Sequence, residues 1–126
     1  MDLILEGIKK AFWLLVSFDP EDLLRTFQDH KITFMSLPGG PGVRVDTAAY
    51  NGCVIPSHYD SLVAKLIVHG KDRAEAIAKM KRALDEFIIE GIKTTIPMHK
   101  RILADPDFQK GDISTKFMER YLNPPK

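Results

Sequence analysis

In this 126-residue sequence the feature best suited to chemistry is an arginine beside a glycine-rich bend. Arg44 follows Gly39-Gly40-Pro41-Gly42 and sits between Val43 and Val45 in an alternating run. Glycines permit close approach to the backbone. A fixed guanidinium can bind carboxylate or phosphate through its planar fork, or stabilise an oxyanion. Asp46, two residues on, is the competing partner, because an Arg44–Asp46 pair on a surface strand would carry no function. The bend itself does not read as a phosphate loop. It leads into a strand and not a helix, and it lacks both Gly-Lys-Ser/Thr and a complete GxGxxG pattern. His30, His58, His69 and His99 are widely separated and show no zinc-ligand spacing, so no metal site is expected. Cys53 and His58 could meet in space but form a weak ligand set, and Cys53 fits better as a small buried apolar residue. Ser61 has no GxSxG elbow to activate it. Residue chemistry alone builds no complete catalytic centre.

The elements that must position Arg44 follow from periodicity. Val43 to Thr47 alternates, with the valines on one face and Arg44 and Asp46 on the other. Ile32, Phe34 and Ser36 alternate with Thr33 and Met35, so a strand is expected there, and the glycine bend joins the two runs as a hairpin. Leu62 to His69 is a third β-prone run, stopped by Gly70. Asp72 and Glu75 have capping-box spacing, and Ile77, Met80, Leu84 and Phe87 recur at helical intervals, predicting a helix over 73–86. Its other face, with Lys79, Lys81, Arg82 and Asp85, reads as solvated. A short strand over 88–92 is expected next. Thr95 then caps a helix that tolerates Pro97 and turns Met98, Ile102 and Leu103 inward. Asp105-Pro106 ends that helix, and a short helix near 115–122 precedes the tail at 123–126.

Residues 1–18 are apolar nearly all round, and Ile4, Ile8, Ala11, Phe12 and Leu15 match helical spacing, predicting a buried helix. Asp19-Pro20 reads as the start of a short helix through Leu23, Leu24 and Phe27. Asp2, Glu6, Lys9 and Lys10 break the apolar run, so neither a secretory signal nor a bilayer span fits. Apolar residues are 44% and charged residues 28% of the chain, as in a globular domain, and the net charge of +1 gives no general field for nucleic acid or an anionic membrane. One cysteine cannot form an internal disulfide. These features predict a cytoplasmic protein with no nucleic-acid or membrane partner. Strands followed mainly by helices give an α+β class, with a small antiparallel sheet of about three strands and packed helices.

Several motifs in order carry a resemblance. Lys31-Ile32-Thr33, Pro38-Gly39-Gly40-x-Gly42-Val43-Arg44-Val45-Asp46, Tyr50-x-Gly52, Tyr59-Asp60-Ser61-Leu62-x-x-Lys65-Leu66-Ile67 and Glu90-Gly91-Ile92-Lys93-Thr94 together resemble the C-terminal domain of biotin carboxylase. That enzyme is the ATP-dependent component of acetyl-CoA, propionyl-CoA and pyruvate carboxylases. The resemblance covers about 31–122. Residues 1–30 do not share it, and Phe27-Gln28-Asp29-His30 stand where the family has Pro-Ser-Pro-Gly.

The resemblance implies a three-stranded antiparallel sheet with helices, placed after an ATP-grasp core. In the intact enzyme ATP and bicarbonate form carboxyphosphate, and the carboxyl group moves to N1 of biotin on a carrier protein. Arg44 falls on the family's arginine that binds the ureido oxygen of biotin and stabilises the enolate. Biotin, ATP and magnesium are therefore cofactors of the intact enzyme, with none expected in this chain. The biotin carboxyl carrier protein and the remaining carboxylase domains are the implied partners, and a homodimer is expected. His69 and Arg73 are, by position, candidates for its interface. No counterpart of the ATP-grasp region lies within these residues, so the chain is not expected to be active alone. The alternative expectation is a non-catalytic module that dimerises or binds a partner through its apolar N-terminal helix.

Overall fold

The structure, a computed structural model, describes residues 11–17, 30–55 and 62–122. The expected helical residues 1–10, the helix led by Asp19-Pro20, the Tyr59-Asp60-Ser61 motif, His58 and the tail lie outside these residues.

Seven strands and four helices follow in chain order among the described residues. They are β1 (Ala11–Ser17), β2 (His30–Lys31), β3 (Phe34–Ser36), β4 (Val43–Asp46), β5 (Val54–Ile55), β6 (Leu62–His69), α1 (Arg73–Glu86), β7 (Ile88–Glu90), α2 (Ile96–Ala104), α3 (Pro106–Lys110) and α4 (Glu119–Leu122). β6 is central in an antiparallel sheet of order β1-β6-β4. Two short antiparallel ribbons, β2-β5 and β3-β7, complete the sheet structure. This is the small-sheet α+β architecture the sequence predicts.

β6 is rich in Val, Ile and Leu, which suit a pleated surface with one face in the core. Ala64, Leu66 and Val68 are buried on one face and Lys65 and Ile67 are half-exposed on the other, while Val63, at an irregularity in the pairing with β1, is also buried. Leu14 and Val16 of β1 join the buried face, and Val43 and Val45 of β4 pack against it. α1 covers that face with Ala76, Ile77, Met80, Ala83 and Leu84. Ile102 and Leu103 of α2, then Phe108 and Phe117, extend the same core.

α1 has the predicted bounds, and Asp72 accepts a hydrogen bond from the Glu75 amide at 2.9 Å. Other expectations need correction. Ala11–Ser17 is a strand and not the second half of a helix: it runs antiparallel to β6, from Ala11 opposite His69 to Ser17 opposite Leu62. An all-apolar run fits a buried strand as well as a buried helix, and pairing with β6 decides between them. That pairing also removes 11–17 from the dimerising helix of the alternative reading.

The expected hairpin across the glycine bend does not form. β3 pairs with β7, and β4 pairs with β6. The alternation through 32–36 also shifts, with Ile32 and Met35 buried and Phe34 46% exposed. The chain leaves β structure at 32–33, which restarts the two-residue period. Gly91 makes the neighbouring crossing possible. Its φ is +96°, and a Cβ there would stand 2.2 Å from the Lys31 carbonyl oxygen.

Thr95 is at the N-cap of α2, but its side chain caps nothing. Its hydroxyl accepts from the Ser17 amide at 3.1 Å, and its own amide donates to the Ser17 carbonyl at 2.9 Å. It ties β1 to α2. His99, one helical turn on, is 1% exposed and 3.2 Å from that hydroxyl, a core position the sequence reading did not assign. After α2, Asp105 caps a further short helix, α3, by accepting from the Asp107 amide at 2.8 Å. Near the end of the chain, α4 is shorter than the expected 115–122 helix.

The two faces of β6 can be told apart by substitution. Leu66→Ala should cost about 3 kcal/mol in urea unfolding, since Leu66 is fully buried, and Ile67→Ala less than half as much.

Candidate functional site

β4 is an edge strand of four residues, and its alternation sends Val43 and Val45 to the core and Arg44 and Asp46 outward. In register with β6, Arg44 stands opposite Ile67 and Asp46 opposite Lys65. On β4 and β6 the outward face of the sheet thus carries a guanidinium, a carboxylate, an ammonium and a half-exposed isoleucine. The Arg44 side chain is 70% exposed and that of Asp46 47%, with Nη2 and Oδ2 3.0 Å apart. A pair this open contributes little to stability, of the order of 0–1 kcal/mol. It holds one guanidinium nitrogen and can be exchanged for a stronger anion without unfolding anything.

The bend before β4 is a tight turn. The Val43 amide donates to the Gly40 carbonyl at 3.2 Å, with Pro41 and Gly42 between them. Gly42 has φ of +73°, so proline then glycine occupy the central positions as a type II turn requires. A Cβ on Gly42 would lie 2.5 Å from the His69 carbonyl oxygen, so close approach demands glycine a second time. The Gly42 carbonyl accepts from the His69 amide at 2.8 Å, continuing the β4-β6 ladder by one bond.

α1 reaches this bend with two basic side chains. Lys79 Nζ donates to the His69 carbonyl at 3.0 Å and pairs with Glu75 at 3.1 Å. Arg82 donates from both Nη1 and Nη2 to the Gly39 carbonyl at 3.2 Å, and its Nη1 donates to both Glu86 oxygens at 3.0 Å. The sequence reading took this face of the helix as solvated. Basic residues at positions three apart give no sign of what stands across from them.

His69 has an exposed side chain at the end of β6, while its backbone meets Gly42 and Lys79. Arg73 is turned inward at the start of α1. Its guanidinium lies 5.1 Å from the Phe108 ring centroid, donates to the Gln109 carbonyl at 3.3 Å, and also donates to the Phe108 carbonyl. Partial burial lowers the pKa of Arg73 from its ordinary value. The structure brings His69 to the glycine bend and places Arg73 against α3. Cys53 is half-buried against the core. A groove of about 430 Å³ opens beside Ile88, Ile92, Pro97 and Lys100, and Arg44 does not line it. Arg44 thus stands on an open face with the chemistry of one half of an anion site.

The family model for the biotin carboxylase C-terminal domain matches residues 22–120. This chain belongs to that family. Biotin carboxylase 1 of Bacillus subtilis is 61% identical over 84 residues, which cover 67% of this chain and 19% of that protein. The biotin carboxylase of Haemophilus influenzae is 40% identical over 139 aligned positions, covering 97% of this chain and 31% of its own length. Among solved structures, the biotin carboxylase domain dimer of Hydrogenobacter thermophilus 2-oxoglutarate carboxylase, in complex with MgADP, ADP and bicarbonate, aligns with a TM-score of 0.80. It is 33% identical, over 89% of this chain and 25% of that one. The chain therefore spans a fifth to a third of the curated relatives it matches. The biotin carboxylase C-terminal match begins before Lys31, so the likeness extends further toward the N-terminus than the motifs alone indicate.

Away from Arg44, the end of this C-terminal domain is pinned by a proton. Tyr121 Oη donates to Asp105 Oδ2 at 2.5 Å, and Arg120 pairs with Asp105 and Asp107. Burial and the hydrogen bond to Asp105 push the Tyr121 phenol up to about 12. The same hydrogen bond draws Asp105 below its ordinary value. A raised phenol pKa gives stability that is complete below pH 10 and is lost as pH rises through about 12. A lowered carboxyl pKa gives stability lost as pH falls below the ordinary aspartate range. Titration followed by phenolate absorbance should show one tyrosine ionising near pH 12, and Tyr121→Phe should remove that step.

Proposed function

We propose that the chain is the part of a biotin carboxylase that meets biotin, and that Arg44 is its reacting-centre residue. The observation that carries this reading is an outward guanidinium, 70% exposed, next to a glycine turn. In the reaction, carboxyphosphate made from ATP and bicarbonate delivers its carboxyl group to N1 of biotin. N1 loses its proton to a base, the ureido oxygen gains negative charge, and a new N–C bond forms as phosphate leaves. Arg44 supplies positive charge to that oxygen while the charge develops, which lowers the barrier more than it tightens ground-state binding. Asp46 keeps the guanidinium oriented until the ureido oxygen displaces it.

The ATP-grasp portion, with nucleotide and magnesium, provides the phosphoryl chemistry, and the biotin carboxyl carrier protein presents the substrate. We propose that this chain serves an acetyl-CoA, propionyl-CoA or pyruvate carboxylase in the cytoplasm. Residues 22–120 are proposed as the family domain, with the strand at 11–17 part of the same sheet. His69 and Arg73 are assigned to the face between two copies, Arg73 by holding α3 in place. Support comes from the related 2-oxoglutarate carboxylase domain, which is described as a dimer. Light scattering of the chain should then give twice the monomer mass.

In an enzyme completed with the ATP-grasp portion, Arg44→Ala should lower carboxylation of biotin by about 10²–10³, the loss expected for one oxyanion-stabilising donor. Unfolding of the chain should change by less than about 0.5 kcal/mol. Undiminished carboxyl transfer in that variant would overturn the assignment.

A further inference from the structure

Three of the four residues before Val43 are glycines, which have no side chains to pack the approach to β4 in place. β4 gains ladder bonds from β6 on one side only, because it is an edge strand. A short edge strand led by a glycine bend frays readily. A catalytic side chain must be held within about 0.5 Å of its productive position. Something beyond the β4-β6 ladder has to fix the bend.

Arg82 is built for that task. Both terminal nitrogens of its guanidinium converge on the Gly39 carbonyl, and Glu86, one turn along α1, holds the guanidinium from the other side through both carboxylate oxygens. A Cβ on Gly40 would lie 3.4 Å from Arg82 Nη2, so the bend is laid directly along the guanidinium. Lys79, three residues earlier on α1, donates to the His69 carbonyl at the end of β6, beside Gly42. The bend is thus tied directly by Arg82 to a helix whose inner face is locked in the core.

We infer that Arg82 is a positioning residue for Arg44: its fork on the Gly39 carbonyl anchors the glycine bend to α1 and so fixes the start of β4. The inference rests on the reading of Arg44 above, and it adds a residue of α1 that does not touch substrate. Lysine cannot replace it, since an ammonium lacks the planar pair of donors that meets Gly39 and Glu86 together.

Two measurements test this. Amide hydrogen exchange on the full 126-residue chain should show Arg82→Ala speeding exchange at Val43 and His69, which donate to Gly40 and Gly42, by about tenfold. Exchange at Met80 and Leu84 inside α1 should not move, which certifies that the variant is folded. Arg82→Lys should resemble Arg82→Ala, and Glu86→Gln should give a smaller change of about twofold. In the enzyme completed with the ATP-grasp portion, Arg82→Ala should lower kcat for biotin carboxylation about tenfold and leave the KM for ATP unchanged. It should add nothing to Arg44→Ala, because one residue acts through the other. Unchanged exchange at Val43 and His69 overturns the inference whatever the assay gives, and so do losses that multiply in the double variant. If the completed wild-type enzyme fails to carboxylate biotin, the reading of Arg44 falls, while the exchange data still decide whether Arg82 holds the bend.

Discussion

Hydrogen bonding along both edges of β6 is the constraint from which the rest of the structure follows. β1 and β4 are separated in sequence from each other and from β6, yet each finds its register on that one strand. A shift of one residue on either side would turn every side chain to the opposite face. The buried residues of β6 and the inner side of α1 exclude that shift, because Leu66, Val68, Met80 and Leu84 have no exposed alternative that conserves the core. Once Val43 and Val45 are committed inward, Arg44 has to point outward. The orientation of the candidate catalytic residue is therefore set by apolar burial and not by any contact it makes itself.

Legibility in the sequence tracked how local each determinant is. α1 could be read completely, because a cap and a four-position apolar stripe lie within 16 consecutive residues. β6 could be read from its β-branched run. Pairing partners could not. The bend after Leu37 looks like a hairpin turn by every local rule, yet β3 joins β7 and β4 joins β6. Which strands meet is decided by long-range burial that no window of sequence contains. The same applies to 11–17, where a continuous apolar run is consistent with two structures until its neighbour is known. Thr95 shows the finer version: a residue with cap chemistry at a cap position gave its hydroxyl to Ser17 because β1 arrived there.

At the site, residue chemistry identified Arg44 as a capable group but by itself favoured a surface ion pair, and the geometry contains that ion pair with Asp46. The ordered motifs from Lys31 to Thr94 made out the family, and the role proposed for Arg44 rests on that resemblance. Lys79 and Arg82 were missed for a physical reason. A basic residue on a helix contributes the same pattern whether water or a backbone carbonyl faces it, and only the packing of the glycine bend against α1 distinguishes the two.

An arginine this exposed needs enclosure before it can be catalytically useful. Two unit charges 4 Å apart interact by about 1 kcal/mol in water and by about 4 kcal/mol at the effective dielectric of a partly enclosed site. The weak pairing with Asp46 is what the first value predicts for an open surface. The family's chemistry requires several kilocalories of oxyanion stabilisation, which corresponds to the second. On the proposed role of Arg44, the difference would come from a wall that covers the outward face of β4 and β6 and removes water from around the guanidinium. Half-exposed Ile67, opposite Arg44 in the ladder, gives such a wall an apolar footing. With Arg82 bonded to the Gly39 carbonyl, such a wall would meet a bend already ordered against α1.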